Sequence, residues 1–125
     1  MKMYEILELA NIYNSIKDNK MPLKTVYKFT CLMRQVEKET AFYQSEFTKI
    51  LETYGLKDET GNYVLTEDNM SVRIIEGKEV ECQEAIINLR NLEVEELNVK
   101  FDLSELEDLN FTIAEMNYLM PLIND

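Results

Sequence analysis

The residue types that most often carry catalysis or bind metals are scarce in this chain. Its 125 residues include no His, which is the commonest general base and the commonest metal ligand. The two cysteines, Cys31 and Cys82, lie in stretches that are typical of helices, and they have neither a C-x-x-C spacing nor a His partner. We therefore predict two small buried thiols in a reducing compartment. Whether the two cysteines form a disulfide is left open, because that depends on the distance between their Cα atoms.

The sequence also lacks the short motifs of phosphate binding and nucleophilic catalysis. With three Gly in total, it contains no G-x-G-x-x-G, no G-K-[ST] and no G-x-S-x-G. Asp58, Glu67 and Asp68 lie in turn-forming clusters, outside any twelve-residue calcium-loop pattern. We therefore predict no catalytic, cofactor-binding or metal-binding residue, and we interpret the chain as a non-enzymatic protein.

Negative charge is concentrated in the second half of the chain. The 24 acidic and 13 basic residues give a net charge of −11, which opposes direct binding to nucleic acid. Residues 1–57 carry nine basic and seven acidic side chains, whereas residues 58–125 carry four basic and 17 acidic ones. The stretch from residue 93 to residue 108, called the acidic segment below, is the densest part. Its acids are Glu93, Glu95, Glu96, Asp102, Glu105, Glu107 and Asp108.

Two interpretations of the acidic segment remain open. It is either a solvated surface that keeps the protein in solution or a surface that binds a basic partner protein. Such a partner includes a nucleic-acid-binding protein whose basic groove the acids would occupy, because clustered charge steers encounters with the opposite sign.

Apolar spacing predicts two helices in the first half of the chain. Ile6, Leu9, Tyr13 and Ile16 recur at helical spacing and predict a helix over 4–17. A longer 3/4 repeat predicts a helix over 22–54, with Pro22 at its start and Gly55 after its end. That repeat consists of Val26, Phe29, Met33, Val36, Thr40, Tyr43, Phe47, Ile50 and Tyr54.

The rest of the chain predicts short strands and short helices. Turn residues between β-branched runs predict a β-hairpin over 58–76, and a second helix should follow over 78–92. Alternating apolar residues predict a strand over 97–103, and Ser104 and Glu107 have the spacing of a capping box. A final helix over 112–120 should begin with Thr112 as its N-cap and Glu115 at its third position.

These elements predict an α+β fold, mostly helical, in a single domain of residues 1–125. The helices 22–54 and 78–92 should form a long helical hairpin with the β-hairpin at its tip. A small C-terminal layer of strand and helix should complete the domain. The short second helix offers fewer apolar anchors than the long one, so we consider self-association through Val26, Phe29, Met33 and Val36. The first and last helices could instead cover these residues.

Targeting features are not evident. No apolar run approaches the roughly 18 residues of a membrane span, and the residues after Met1 soon become acidic, so we expect no signal peptide. The expected location is the cytoplasm.

Three stretches carry a resemblance to known proteins. They are MPLKTVYK at 21–28, GLKDETGNY at 55–63 and FTIAEMNYLMPLI at 111–123. They resemble a family of small uncharacterised proteins from tailed phages and prophages of Gram-positive bacteria. The resemblance implies a phage-encoded protein that works in the bacterial cytoplasm, and it supplies no catalytic residue.

We therefore expect a non-enzymatic protein that acts by binding a host or phage protein with a basic surface, without a cofactor, nucleic acid or membrane. Its expected action is inhibition of a host nucleic-acid-binding or defence protein. The alternative is a structural or assembly accessory protein of a phage, which would act by self-association.

Overall fold

The computed structural model describes residues 1–124 and consists mostly of helices. Helices account for 58% of the residues, and only 8% are in strands or isolated bridges, with no sheet in the described part. The four α-helices are α1 (Met3–Ile16), α2 (Leu23–Tyr54), α3 (Glu79–Arg90) and α4 (Ile113–Leu119). Two short 3₁₀ helices, Leu103–Leu106 and Met120–Leu122, lie beside α4 in the sequence. The predicted α+β fold is therefore wrong in its β part.

The chain divides into two compact units, whereas the sequence analysis predicted a single domain of residues 1–125. Unit 1 consists of Met1–Ala41 together with the chain from Glu93 onward, and unit 2 consists of Phe42–Leu92. Helix α2 contributes its first part to unit 1 and its last part to unit 2.

The core of unit 1 is built from one face of α1, from the first part of α2 and from buried side chains of the chain after Glu93, among them Phe101 and Leu119. Helix α1 buries apolar side chains at helical spacing, as an amphipathic helix does. They are Met3, Ile6, Leu9, Ile12 and Ile16. Its first turn is closed by the Glu5 carboxylate, which accepts a hydrogen bond from the Lys2 backbone N–H at 2.9 Å.

The buried face of α2 differs from the predicted stripe at its start. Thr25 and Leu32 are buried, whereas Val26 is exposed. The Thr25 hydroxyl donates a hydrogen bond to the carbonyl oxygen of Glu105 at 3.0 Å. This bond satisfies a hydroxyl that would otherwise be costly to bury. The buried face of α2 can therefore begin with a polar residue, Thr25, in place of Val26.

The predicted β-hairpin over 58–76 is not formed. This region contains only isolated bridges, between Leu65 and Val72 and between Lys57 and Tyr63, with a third from Gly55 to Ile74. The apolar runs are short, and turn residues compete for the backbone donors. The Asp58 carboxylate accepts hydrogen bonds from the backbone N–H groups of residues 60 and 62, at 2.9 and 3.1 Å.

The predicted strand over 97–103 is also wrong, although its alternation is real. Leu97, Val99 and Phe101 are buried, while the residues between them are exposed. Residues 97–102, called the extended segment below, have one bridge only, between Phe101 and Ile123. A strand needs a neighbouring extended chain along its length. Here the backbone N–H of Asn98 instead donates to a side chain, the Gln35 amide oxygen, at 3.1 Å.

Capping hydrogen bonds set the start of α4 and of the first 3₁₀ helix. The Thr112 hydroxyl accepts from the Glu115 N–H at 3.1 Å, and the Glu115 carboxylate accepts from the Thr112 N–H at 2.8 Å. This confirms the capping box predicted there. The box predicted from Ser104 is displaced by two residues, because the Asp102 N–H donates to the Glu105 carboxylate at 2.8 Å.

Candidate functional site

The acidic segment lies in unit 1, and most of its carboxylates face solvent. Six of its seven acids are exposed, namely Glu93, Glu95, Glu96, Asp102, Glu107 and Asp108. The seventh, Glu105, has a side chain that is only 9% exposed. The structure therefore separates one acid from the set that the sequence grouped together.

Glu105 joins the first 3₁₀ helix to α2. Its Oε1 accepts a hydrogen bond from the Lys28 ammonium at 2.6 Å, and its Oε2 is buried without a hydrogen-bond partner in the described chain. The hydrogen bond from Lys28 is the main reason that the pKa of the Glu105 carboxyl lies below its usual range. Glu105 therefore holds the fold together and is not available as a contact for a partner.

The exposed acids fall into two groups. The Glu93 side chain lies 3.6 Å from the Met1 amino nitrogen, and the Asp102 carboxylate accepts from the Asn124 amide at 2.9 Å. The other four, called the unpaired acids below, form no ion pair or side-chain hydrogen bond within residues 1–124. They are Glu95, Glu96, Glu107 and Asp108.

One large apolar side chain is exposed within the acidic segment. Leu103, which opens the first 3₁₀ helix, is 62% exposed and lies in sequence between the two pairs of unpaired acids. In a strand over 97–103, the alternation would place Leu103 on the same face as the buried Leu97, Val99 and Phe101. An exposed apolar residue next to carboxylates provides an anchor that charge alone does not.

The residues considered for self-association lie mainly in the core. Phe29, Met33 and Val36 are buried, and Val26 alone is exposed. The ring of Phe29 packs against Phe101 of the extended segment, with 4.6 Å between ring centroids. Intrachain packing therefore buries three of the four residues that the sequence analysis considered for self-association.

Unit 2 contains an apolar groove that the sequence analysis did not identify. The groove has a volume of about 580 Å³ and lies between α2, α3 and the loop that joins them. Its lining is Phe47, Leu51, Met70, Ser71, Val72, Ile74, Glu79, Cys82, Gln83, Ile86 and Ile87. Helical spacing of Phe47 with Leu51, and of Cys82 with Ile86, was visible in the sequence, but it also fits a closed core.

Neither cysteine is in a disulfide, and each has a different environment. Cys82 is buried at the apolar groove, and this burial raises the pKa of its thiol. Cys31 is half-buried in unit 1. Among residues 1–124 no group of three or more His, Cys, Asp or Glu side chains is placed to hold a metal ion.

The turn aspartates use their carboxylates within their own turns. Asp58 accepts from Thr60 and Asn62, and Asp68 accepts from the Met70 N–H at 3.0 Å. The largest cause of the lowered pKa is a hydroxyl hydrogen bond in each case, from Thr60 to the Asp58 carboxylate and from Thr66 to the Asp68 carboxylate. Both aspartates therefore stabilise turns, as the sequence predicted.

The fold and these surfaces define a mostly helical protein whose notable features are an acidic surface segment and an apolar groove. In the described part of the chain, no helix is both long and apolar enough to cross a membrane. Comparisons with protein-family models, with curated proteins and with solved structures each found no match.

Proposed function

We propose that this chain is a noncatalytic protein that acts by binding a partner protein with a basic surface through its acidic segment. The observation that supports this function is the exposure of the four unpaired acids on either side of Leu103 in the sequence. None of these carboxylates forms an ion pair within residues 1–124, although Lys38 lines the same shallow concavity as Glu95 and Glu96.

The expected interaction combines many weak contacts with one apolar anchor. An exposed ion pair contributes only about 0–1 kcal/mol, so single acids would add little affinity. Four acids acting together would raise the association rate and favour positively charged partners. Leu103 would supply the desolvated contact that ion pairs at a rim do not.

The class of partner follows from the sign and density of the charge. A Lys/Arg-rich groove that normally holds nucleic acid presents the complementary surface, and an acidic protein bound there would exclude the nucleic acid. The resemblance to phage proteins adds a bacterial host protein as the target and the bacterial cytoplasm as the place of action. Both belong to the same proposal.

A charge-matched pair of variants tests this function. The first variant neutralises the unpaired acids by Glu95→Gln, Glu96→Gln, Glu107→Gln and Asp108→Asn. The control neutralises four exposed acids elsewhere, by Glu37→Gln, Glu52→Gln, Glu59→Gln and Glu76→Gln. Both variants have a net charge of −7 instead of −11, so they differ only in where the charge is lost.

The measurement is quantitative affinity capture from a Gram-positive bacterial lysate with the two variants and the unmodified chain. We expect basic proteins to be retained by the unmodified chain and the control, lost by the first variant, and released by added duplex DNA or by salt. Identical capture by all three proteins would show that the acidic segment only maintains solubility. Capture that DNA does not compete would exclude a nucleic-acid-binding groove as the docking site.

A further inference from the structure

We infer that the apolar groove of unit 2 binds an amphipathic helix of a partner protein, with basic residues beside its apolar stripe. The groove lies outside the acidic segment, so this inference is independent of the function proposed above. It rests on the arrangement of the lining residues, on the length of the groove and on the sign of its charge.

Helix α3 forms one wall of the groove, and its lining residues become more exposed from an inner row to an outer row. On α3 the inner row is Cys82, which is buried, and Ile86, which is half-buried. The outer row on the same helix consists of Glu79, Gln83 and Ile87, all exposed and four residues apart. Burial therefore decreases from the inner row to the outer row, and two of the three outer residues are polar, a gradient that matches the cross-section of an amphipathic helix.

The opposite wall and the rim are also apolar. Phe47 and Leu51, one turn apart on α2, are half-buried and line the groove. Met70 lies in the connecting loop and is 84% exposed. Met side chains adapt to varied partners, and an exposed Met at a groove is typical of surfaces that accept helical peptides.

The row of lining residues on α3 is about as long as two turns of a bound helix. The row from Glu79 to Ile87 covers eight residue steps, or about 12 Å at 1.5 Å per residue. Anchors at positions i, i+3, i+4 and i+7 of a bound helix span about 10.5 Å by the same rise. An occupant can therefore place three or four apolar side chains along the wall.

The charge around the groove selects the flanking residues of the occupant. The single charged residue in its lining is Glu79. Glu67 and Asp68 lie in the adjoining concavity, which shares Ser71 with the groove and also contains Arg73. Hydrogen bonds from Thr66 and from the Met70 N–H hold the pKa of Asp68 low, so its carboxylate stays ionised. Unit 2 as a whole has ten acidic and five basic side chains, which favours Lys or Arg on the occupant.

A set of three labelled peptides tests the inference with the full chain. Each peptide is about 16 residues long, because shorter helices are marginal in water. The first has leucines at i, i+3, i+4 and i+7 with lysines at the flanks. The second has glutamates at the flanks, and the third contains the residues of the first in an order without an apolar stripe. Fluorescence anisotropy measures the dissociation constant of each.

Matched variants locate the binding site on α3. Ile87→Asp places a carboxylate in the groove, whereas Val80→Asp places one outside its lining on the same helix. Both residues are exposed, at 47% and 67%, so neither substitution disrupts the core. Glu79→Gln removes the charge of the lining and keeps an acceptor for the Gly77 N–H, which Glu79 now binds at 3.0 Å.

We expect the lysine-flanked peptide to bind at least about tenfold more tightly than the other two. Ile87→Asp should weaken that binding by about tenfold or more, Val80→Asp should leave it unchanged, and Glu79→Gln should reduce the preference for lysine. Circular dichroism confirms that each variant remains folded.

Other outcomes would overturn the inference. They are equal affinity for the three peptides, absence of binding, or binding that Ile87→Asp does not change. An apolar dye that fills the groove and that no peptide displaces would assign the groove to a small molecule. A dimer seen by light scattering and dissociated by Ile87→Asp would assign it to a second copy of the chain.

Discussion

At the scale of single residues, Glu105 shows how the tertiary structure changes the role of a side chain. The sequence groups it with six other acids, but the fold places Lys28 beside it, 77 positions earlier in the chain. The ammonium stabilises the ionised carboxylate and lowers its pKa. Instead of being a surface charge, Glu105 forms an ion pair that connects the first 3₁₀ helix to α2.

The Glu105 ion pair makes stability depend on pH. A carboxyl whose pKa is lower in the folded state stabilises the protein above its unfolded pKa, about 4.3 for Glu, and this contribution is lost as pH falls through the folded pKa. Glu105→Gln should therefore lower the melting temperature at neutral pH, and its deficit should shrink in acid. Melting curves from neutral pH to about pH 3 test this. Glu107→Gln, which alters an exposed acid, should show no such trend, and a deficit for Glu105→Gln that persists unchanged in acid would contradict the assignment.

Gly55 is required by close approach, and this gives a second prediction. A Cβ at this position would lie 2.5 Å from the Leu51 carbonyl oxygen and 2.9 Å from the Tyr63 ring. Gly55→Ala should therefore lower the free energy of unfolding by about 1–3 kcal/mol, as overpacking does. Denaturant unfolding measures it, with Ser45→Ala on the exposed face of α2 as the control expected to change little. Equal stability of the two variants would mean that the backbone near residue 55 adjusts without cost.

At the scale of elements, the helices follow local signals and the extended segment does not. Helix α2 runs over Leu23–Tyr54, where apolar spacing predicted 22–54, and α1 and α3 lie within two residues of their predicted bounds. Helical hydrogen bonds connect residues four apart, so a short stretch of sequence contains all the backbone partners that a helix requires. The extended segment depends on what packs against it, because strand hydrogen bonds come from another part of the chain.

Helix α4 provides a test of local capping. Thr112→Ala removes the hydroxyl that accepts from the Glu115 N–H, and it should cost about 1 kcal/mol of stability. Thr53→Ala is the matched control, because the Thr53 hydroxyl bonds only to the Lys49 carbonyl inside α2. That control should be neutral or slightly stabilising, since Ala has the higher helix propensity. Thermal unfolding of both variants decides whether the cap matters.

The extended segment is held by side-chain packing and not by a strand ladder. Phe101 is fully buried, and Lys28 lies 5.9 Å from its ring centroid. Phe101→Ala should lower the free energy of unfolding by about 3–5 kcal/mol, whereas Leu103→Ala should change it by less than about 0.5 kcal/mol. Denaturant unfolding separates the two, and a large effect of Leu103→Ala would show that this side chain is packed after all.

At the scale of the whole molecule, the net charge of −11 sets the response to salt. Repulsion among like charges destabilises the folded chain, and salt screens it as the Debye length falls from about 30 Å at 0.01 M to about 8 Å at 0.15 M. The melting temperature should therefore rise by a few degrees over that range. The variant that neutralises the four unpaired acids should rise less. A melting temperature that falls with salt would show that ion pairs contribute more than repulsion.

The sequence by itself determined the positions of the helices, the capping box at Thr112 and the excess of negative charge. Each of these depends on residue types or on neighbours within one or two turns. Only the tertiary structure decided which face of α2 is buried at Thr25, and that residues 97–102 lie extended without a sheet. It also decided that Glu105 pairs with Lys28, and that α2, α3 and their loop leave a groove open. Packing partners distant in sequence control burial, strand pairing and ion pairing, so no local pattern of residues specifies them.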